Sequence, residues 1–191
     1  MRPNRISIVG NSGAGKTTLA REVESRLGLP RLELDSLFHQ ANWESLDEPE
    51  FRSRVTAFIE ANESWVIDGN YTGVRDLVWE HATTVVWLHP PRWRVMTQIG
   101  FRTLRRVLGR TQLWNGNREP LTNLYSLDPE RSVMAWAWTR YPMIEKEYAQ
   151  CQADPRWEHL DLRKFSSQED ALAWVLALND KDSRGVVRPK A

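Results

Sequence analysis

Cysteine is nearly absent from this chain of 191 residues, which contains one, Cys151. A single cysteine excludes an internal disulfide bond and is typical of proteins from a reducing compartment. Long apolar runs are also missing, since no stretch of the sequence approaches the roughly 20 apolar residues that a membrane-spanning helix needs. We therefore expect a cytoplasmic protein that does not enter a membrane.

Acidic residues are missing from one long segment, although the chain as a whole is nearly neutral. The formal net charge is +1, which argues against a general polyanion-binding protein. Between Glu80 and Glu119, however, the sequence has no acidic residue at all. The Asn-Lys-x-Asp motif with which GTPases recognise guanine is missing too, so a GTPase switch is not expected.

A complete phosphate-binding motif stands near the start of the chain. Residues 10–17 are Gly-Asn-Ser-Gly-Ala-Gly-Lys-Thr and match the G-x-x-x-x-G-K-[ST] pattern of a P-loop. An apolar run over 6–9 precedes the motif and a helical pattern over 17–27 follows it, as a P-loop requires. Glycines let backbone N–H groups converge on an anion, Lys16 adds positive charge, and the Thr17 hydroxyl is suited to bind magnesium.

We therefore expect a nucleoside triphosphate, ATP in the absence of guanine motifs, to bind at this loop together with Mg²⁺. A helix that begins at the loop would add its N-terminal dipole to the site. The predicted nucleotide-binding residues are Gly10, Asn11, Ser12, Gly13, Ala14, Gly15, Lys16, Thr17 and Thr18.

The rest of the sequence predicts one α/β domain over residues 1–180 and a flexible tail over 181–191. Short apolar runs predict strands over 6–9, 31–34, 65–68, 83–88 and 157–162. Helical periodicity predicts helices over 17–27, 47–61, 75–79, 92–110 and 129–149, and a last helix capped by Ser167 and Asp170. We expect a three-layer P-loop NTPase fold with a five-stranded parallel sheet in the order 2-3-1-4-5.

Two of the predicted strands end in an aspartate. Asp35 follows the second strand and Asp68 ends the third. Because ligands of open α/β sheets bind beyond the carboxyl ends of the strands, both side chains are expected to face the P-loop. Asp68 has the position of a Walker B carboxylate that holds magnesium together with Thr17. Asp35 has two interpretations of equal weight, an N-cap of the next helical turn or a group that orients or deprotonates an acceptor hydroxyl.

A helical insertion over residues 36–64 follows Asp35. Phe38, His39 and Trp43 lie at the base of this insertion and could line a pocket for a phosphate acceptor. For each of them taken singly, the commoner role is to wedge such an insertion against the sheet. Both interpretations stay open at this point.

Arg75 is a further candidate for the acceptor site. It stands a few residues beyond Asp68, so its guanidinium can reach the same crevice and clamp an anionic part of the acceptor. The alternative interpretation is a surface salt bridge with Asp76 or Glu80.

The acid-free segment is rich in arginine. Arg102, Arg106 and Arg110 recur at i, i+4 and i+8 on one face of the predicted helix. Like charges at that spacing repel one another, so the stripe needs an anionic counterpart. Arginine in place of lysine favours bidentate contacts with phosphate. The turn over 111–120, which contains Arg118, interrupts the helix and is expected to be a mobile flap.

Three further segments carry a resemblance to a known group. They are Leu-Asp-Ser-Leu-Phe at 34–38, Trp-Val-Ile-Asp-Gly-Asn-Tyr at 65–71, and the arginine run with Trp-Asn-Gly-Asn-Arg-Glu at 114–119. With its P-loop and its two excursions from the sheet, the chain resembles the adenylate-kinase-like nucleoside and small-molecule kinases. It is more closely similar to bacterial P-loop kinases labelled topology modulation protein, FlaR-like.

The resemblance implies a division of labour between the two excursions. The insertion over 36–64 would bind the acceptor, and a lid over 100–128 would close on ATP. One departure from the group bears on the acceptor. The Asp-Gly-Asn-Tyr turn at 68–71 replaces the Gly-Phe-Pro-Arg type of turn of true adenylate kinases, which argues against AMP.

The resulting hypothesis is an ATP-dependent phosphotransferase for a nucleoside, a nucleotide or a hydroxylated metabolite, acting as a monomer or a homodimer. The predicted catalytic residues are Lys16, Asp35, Arg102, Arg106, Arg110 and Arg118. The predicted acceptor-binding residues are Asp35, Phe38, Trp43, Asp68 and Arg75, and the predicted metal ligands are Thr17 and Asp68. Two other functions stay open, a nucleic-acid-associated ATPase that uses the arginine stripe and a regulatory ATP-binding module without transfer.

Overall fold

A five-stranded parallel sheet forms the centre of the protein. The structure, a computed structural model, describes residues 4–109, 112–117 and 133–184. In chain order the strands are β1 (Arg5–Gly10), β2 (Arg31–Glu33), β3 (Trp65–Asp68), β4 (Thr84–Leu88) and β5 (Asp161–Phe165). They lie in the order β2-β3-β1-β4-β5, and each neighbouring pair is parallel. The predicted α/β fold and strand order are confirmed.

Helices cover both faces of this sheet. Within the described residues they are α1 (Lys16–Leu27), α2 (Leu34–Phe38), α3 (Glu48–Ala61), α4 (Thr72–His81), α5 (Arg92–Leu108), α6 (Val133–Ala153) and α7 (Gln168–Arg184). On one face, Leu19 of α1 and Ala171 of α7 share a buried cluster with the sheet. On the other face, Val55 of α3, Val78 of α4 and Tyr148 of α6 share a second cluster. The predicted three-layer arrangement is therefore confirmed.

The carboxyl ends of three strands meet at the P-loop. Ile8 of β1 is in register with Asp68 of β3, and Gly10 is in register with Leu88 of β4. Strands β3 and β4 are buried along their whole length, as expected for apolar runs in a parallel sheet covered on both faces. The loop after β1 thus leaves the sheet between two buried strands.

Helix α5 is held to the molecule mainly by its first half. Val95 and Ile99 of α5 form a small buried cluster with Ala137 of α6. Beyond that cluster three apolar side chains are exposed, Phe101 at 74%, Leu104 at 44% and Leu108 at 75%. The second half of α5 therefore presents both apolar and basic groups to solvent.

Several boundaries differ from the predictions. Strand β2 ends at Glu33, because Leu34 already belongs to α2. Strand β5 does not begin at 157, because Pro155–Trp157 form a 3₁₀ turn, at whose start the Asp154 side chain accepts a hydrogen bond from a backbone N–H. Helix α7 continues to Arg184, past the predicted start of the tail at 181.

Helix α6 continues through Pro142, where the sequence predicts a kink. Its second half carries Glu145 and Glu147, which form ion pairs with other elements. In the part of the chain that the structure describes, no helix combines the length and the hydrophobicity that crossing a membrane requires.

Candidate active site

The P-loop adopts a backbone that glycine alone favours at three positions. Gly10, Gly13 and Gly15 have φ angles of 141°, 76° and 96°, in the region that other residues rarely adopt. A Cβ atom at Gly13 would overlap the Ile99 side chain, and one at Gly15 would overlap the Gln168 side chain. Because the glycines carry no side chain, the loop offers its backbone N–H groups to a ligand. The loop therefore fits the phosphates of a nucleotide.

Lys16 is the positive centre of this loop. Its Nζ donates a hydrogen bond to the Asn11 carbonyl oxygen at 3.1 Å. Burial lowers the pKa of Lys16; the Asp35 and Asp68 carboxylates oppose that shift, and the Arg102 guanidinium adds to it. These three neighbours belong to α2, β3 and α5. Lys16 is thus the point at which the predicted metal, acceptor and lid groups converge.

Thr17 and Asp68 form the candidate magnesium site. The Thr17 hydroxyl donates to Asp68 Oδ2 at 2.7 Å. Asp68 is 1% exposed, and burial raises its pKa to about 6. A hydroxyl and a carboxylate suit Mg²⁺, which takes its remaining ligands from phosphate and water. Among the described residues no group of three or more His, Cys, Asp or Glu could hold a metal ion.

Arg31 belongs to the site although the sequence patterns did not reveal it. Its Nη1 lies 3.3 Å from Asp68 Oδ1 and 3.3 Å from Glu33 Oε2, and its Nε lies 2.9 Å from Glu24 Oε2. The pairing of β2 with β3 brings Arg31 close to Asp68. One guanidinium therefore offsets part of the negative charge behind the metal site.

Asn70 holds the first residue of the P-loop from the end of β3. Its Oδ1 accepts a hydrogen bond from the Gly10 N–H at 2.9 Å, and its Nδ2 donates to the Gly10 carbonyl oxygen. The Tyr148 hydroxyl donates to the same Oδ1 at 3.1 Å. The side-chain amide thus pairs with both backbone groups of Gly10. The sequence placed Asn70 only in a turn.

The tip of the P-loop contacts helices α5 and α6. Arg102 Nη2 donates to Ser12 Oγ at 3.3 Å. The Asn11 side chain donates to the Ala137 carbonyl oxygen at 3.0 Å and accepts from the Ser12 N–H at 2.9 Å. Arg102 is therefore a predicted catalytic arginine that the structure brings to the loop.

The structure says less about the other predicted lid arginines. Arg106 lies one turn beyond Arg102 on α5. Arg110 and Arg118 lie outside the described residues, and their roles stay predictions. Thr18, at the start of α1, is exposed, and its predicted contact with the nucleotide is likewise untested.

Asp35 lies in the first turn of α2 and is not its N-cap, a position that Glu33 occupies. The Tyr71 hydroxyl donates to Asp35 Oδ1 at 2.7 Å, and His39 Nε2 lies 3.4 Å from the same hydroxyl. Burial and the neighbouring Asp35 charge raise the pKa of Tyr71, so its hydroxyl stays a donor. Burial lowers the pKa of His39, which favours the neutral ring at pH 7. The N-cap interpretation of Asp35 is therefore wrong.

A clasp, formed by residues 39–43 and 113–117, joins the predicted lid to the predicted acceptor-binding insertion. Asn115 Nδ2 donates to the His39 carbonyl oxygen at 2.6 Å. Asn117 Nδ2 donates to the Gln40 carbonyl oxygen at 2.7 Å, and Asn117 Oδ1 accepts from the Trp43 N–H at 3.0 Å. The structure thus connects segments that the sequence treats as separate excursions.

Aromatic rings surround the base of the insertion. The Trp114 and His39 rings stack with their centroids 5.7 Å apart. Phe38 contacts Tyr71 with a centroid distance of 4.6 Å and belongs to the edge of the main core. Trp43, in contrast, is 38% exposed. Phe38 therefore has the wedge position considered for it, while Trp43 keeps a face that a ligand can contact.

Arg75 points to helix α6. Its Nη2 lies 2.5 Å from Glu147 Oε1, and its guanidinium lies over the Tyr148 ring at 5.3 Å. Asp76, one of the two surface partners considered for it, pairs instead with Arg52 at 2.8 Å. A clamp on an anionic acceptor would require the Arg75–Glu147 pair to open.

Comparison with known sequences gives a partial match. No family model matches the chain. A cytidylate kinase of Nitratidesulfovibrio vulgaris strain DP4 is 38% identical over 60 residues, which are 28% of this chain and 26% of that protein. The cytidylate kinase of the Hildenborough strain is 37% identical over the same length. The chain spans about a quarter of the length of these curated relatives, 26% in each case.

Comparison with solved structures covers almost the whole chain. A gluconokinase from Sinorhizobium meliloti 1021 has a TM-score of 0.54 at 17% identity and matches 97% of this chain and 98% of its own. A shikimate kinase from Acinetobacter baumannii, in complex with shikimate, has a TM-score of 0.54 at 16% identity and matches 97% and 96%. The chain has the P-loop kinase fold. At such identities the likeness concerns the fold, so the activity has to be argued from the site.

Proposed function

We propose that the chain is a P-loop kinase that transfers phosphate from ATP, with Mg²⁺, to a hydroxyl group of a small molecule. One observation carries the proposal. Lys16 of the P-loop lies within electrostatic reach of Asp68, Asp35 and Arg102 at once. Phosphoryl transfer needs a phosphate cradle, a metal ligand, a group that positions the acceptor and a cation over the transferred group. The residues around Lys16 supply one of each.

The donor half of the site would bind ATP through the loop N–H groups and Lys16. Thr17 and Asp68 would hold Mg²⁺, which when bound neutralises charge on the transferred phosphate. Because the pKa of Asp68 is about 6, its carboxylate is mostly ionised at pH 7 and can attract the cation. The predicted lid arginines would stabilise the charge of the transition state; they are Arg102, Arg106, Arg110 and Arg118.

The acceptor half would be organised around Asp35. Its carboxylate would orient or deprotonate the acceptor hydroxyl, and the hydrogen bond from Tyr71 holds one of its oxygens in place. Trp43, with Phe38 behind it, would contact the body of the acceptor. This arrangement accommodates a nucleoside, a nucleotide or another hydroxylated metabolite by size alone.

The comparisons support the class of enzyme and leave the acceptor open. The gluconokinase, the shikimate kinase and the cytidylate kinases are all small-molecule kinases by name. The resemblance to topology modulation proteins, FlaR-like, stays a prediction, because no family model matches the chain.

Lys16→Ala tests the donor half. The substitution is expected to lower acceptor-dependent ADP release by about a hundredfold or more, because it removes the charge that meets the outer phosphates. Calorimetric titration should show weaker binding of ATP as well. Lys146→Ala is the matched control, since Lys146 is exposed on α6. Full activity in Lys16→Ala would remove the assignment.

A panel of nucleosides, nucleotides and hydroxylated metabolites tests transfer itself. ADP release that depends on one of these acceptors supports the kinase. ATP binding without ADP release for any acceptor would favour the regulatory module instead. Affinity for nucleic acid that falls steeply with salt would favour the nucleic-acid-associated ATPase.

A further inference from the structure

The acceptor side of the molecule carries an excess of negative charge. Residues 31–91, which comprise β2, the insertion, β3, α4 and β4, contain eleven carboxylates, four arginines and no lysine. An acceptor with a phosphate or carboxylate group of its own needs a cation to bind that group. Whether these arginines are already paired with carboxylates therefore decides which acceptors the site can bind.

Each of these arginines is paired with a carboxylate at 3.3 Å or less. The pairs are Arg31 with Glu24, Glu33 and Asp68, Arg52 with Asp76, Arg54 with Glu50, and Arg75 with Glu147. Binding an anion at any of them would separate an existing pair and leave a carboxylate without its cation. For Arg31 and Arg75, whose side chains are 17% exposed, that loss offsets much of the gain from the new contact. The pairs of Arg52 and Arg54 are exposed and contribute little.

Lys16 lies within electrostatic reach of Asp35, but its charge would be taken up by the phosphates of ATP; the other groups that the structure describes around Asp35 are acidic or neutral. Glu33 is in register with Asp68 on the neighbouring strand, and the Glu33 charge acts on the pKa of both Asp68 and Tyr71. His39 is favoured in its neutral form by burial. The exposed face of Trp43 adds an apolar ring surface. Such surroundings attract hydroxyl, amine and ring groups and repel anions.

We propose that the acceptor is a hydroxylated molecule without phosphate or carboxylate groups, either neutral or bearing an amine; this rests on the kinase function proposed above. Asp35 accepts the hydrogen bond of the reacting hydroxyl, and Trp43 contacts the ring or carbon skeleton of the acceptor. The acceptor oxygen forms the new bond to the γ-phosphorus as the bond to the β–γ bridging oxygen breaks. The hydroxyl proton passes to Asp35.

Among the basic side chains of α5, Arg102 contacts the donor side at Ser12. A polyphosphate on the P-loop brings several negative charges of its own to that helix. The donor and acceptor sides thus differ within residues 4–109, 112–117 and 133–184: ATP would meet a cationic surface, whereas the arginines of 31–91 are already paired.

Closely related acceptors that differ mainly in charge test the proposal. The protein is saturated with Mg²⁺ and a non-hydrolysable ATP analogue and titrated with glucosamine, glucose and glucuronate, which share a pyranose ring, and separately with cytidine and cytidine monophosphate. We expect the neutral or cationic member to bind about tenfold or more tightly than the anionic member of its series, because like charges repel at the site. Equal or tighter binding of the anionic member in either series would overturn the proposal. Absence of binding by all neutral and cationic members at millimolar concentration would overturn it too.

Glu147→Gln sharpens the test, because it keeps the shape of the side chain and removes the charge that engages Arg75. The preference against anionic members should shrink in this variant. Glu50→Gln is the matched control, since it leaves Arg54 without its partner at the exposed surface of α3, and the preference should persist there. If the preference is undiminished in Glu147→Gln, the pairing of Arg75 with Glu147 is not what disfavours anionic acceptors, and that part of the argument is contradicted.

The kinase function is read separately in the same samples with ATP in place of the analogue. Binding of a neutral member without ADP release would refute the kinase and leave the acceptor class intact. ADP release that requires the anionic members would support the kinase and refute the proposed acceptor class.

Discussion

The two segments that border the P-loop crevice differ in charge and in how that charge is held. Residues 31–91 carry eleven carboxylates, and each of their four arginines has a carboxylate partner. Helix α5 (Arg92–Leu108) carries five arginines and no carboxylate. The predicted acceptor side therefore has its arginines paired with carboxylates, whereas the predicted lid side concentrates positive charge next to the P-loop.

The arginines of α5 are themselves divided into two groups. At the start of the helix, Arg92 lies over the Trp138 ring at 3.4 Å and Arg94 over the Trp93 ring at 5.5 Å. One turn beyond the α5–α6 cluster, Arg102 contacts Ser12 of the P-loop. Aromatic rings contact the first group at the base of the helix, whereas Arg102 lies beside the P-loop, where we propose that the nucleotide binds.

The largest effect is expected from Asp68→Asn, which removes the charge at the metal site. We expect a loss of about a hundredfold in the affinity for Mg²⁺·ATP, because the amide cannot supply the negative charge that the metal requires. Calorimetric titration with and without Mg²⁺ measures it. Asp76→Asn, at the surface pair with Arg52, is the control. Equal Mg²⁺-dependent affinity in Asp68→Asn and wild type would show that Asp68 plays no part in metal binding.

The same variant has a pH signature. Burial raises the pKa of Asp68 to about 6, so the folded protein favours its neutral form. In wild type, the free energy of unfolding should fall as pH rises from the ordinary range of an aspartate to about 6. Affinity for Mg²⁺·ATP should rise through that window, because the carboxylate ionises. Both trends should be lost in Asp68→Asn, and their persistence there would assign them to another group.

The second largest effect is expected from Arg102→Ala, on the basic side of the P-loop crevice. We expect a fall on the order of tenfold in kcat, because Arg102 is the described lid arginine that contacts the loop. Arg94→Ala is the matched control on the same helix, since its side chain lies on Trp93. Steady-state kinetics of ADP release would distinguish the two variants. If both variants lose activity alike, the arginines of α5 act through their total charge, and the division of these arginines into two groups is wrong.

The sequence predicted those features of the site that depend on neighbours along the chain. The P-loop, the strand order and the aspartate at the end of β3 follow from local patterns, because a glycine-rich turn between a strand and a helix has few other structures. The Thr17–Asp68 hydrogen bond at 2.7 Å agrees with the predicted metal pair. Such features can be predicted from the sequence because they depend on local backbone conformation and on the register of neighbouring strands.

Features that depend on distant pairing were missed. Arg31 reaches Asp68 only because β2 and β3 are neighbours in the sheet, and Asn70 reaches Gly10 across a separation of 60 residues. The partner of Arg75 is on α6 rather than on its own helix. Side-chain pairs of this kind leave no spacing pattern in the sequence, since either partner alone is an ordinary surface or turn residue.

The smallest effect is expected at the clasp, which connects the basic predicted lid to the acidic insertion. Asn117 is buried and makes two hydrogen bonds across it, to Gln40 and to Trp43. Asn117→Ala should lower the free energy of unfolding by about 1–2 kcal/mol, because buried backbone groups lose their partners. Urea denaturation measures that change. Asn115→Gly, which removes one exposed bond to His39 and tolerates the φ angle of 53° at this position, is the control and should cost less.

The kinetic outcome of Asn117→Ala decides whether the two sides act together. Since the clasp ties residues 113–117 of the lid to residues 39–43 of the insertion, loosening it should raise the KM for ATP and the KM for the acceptor together, by a few-fold each. A change confined to the acceptor would mean that the clasp only shapes the insertion. In that case the basic and the acidic sides would be joined by contact without being coupled, and the charge difference between them would operate through the P-loop alone.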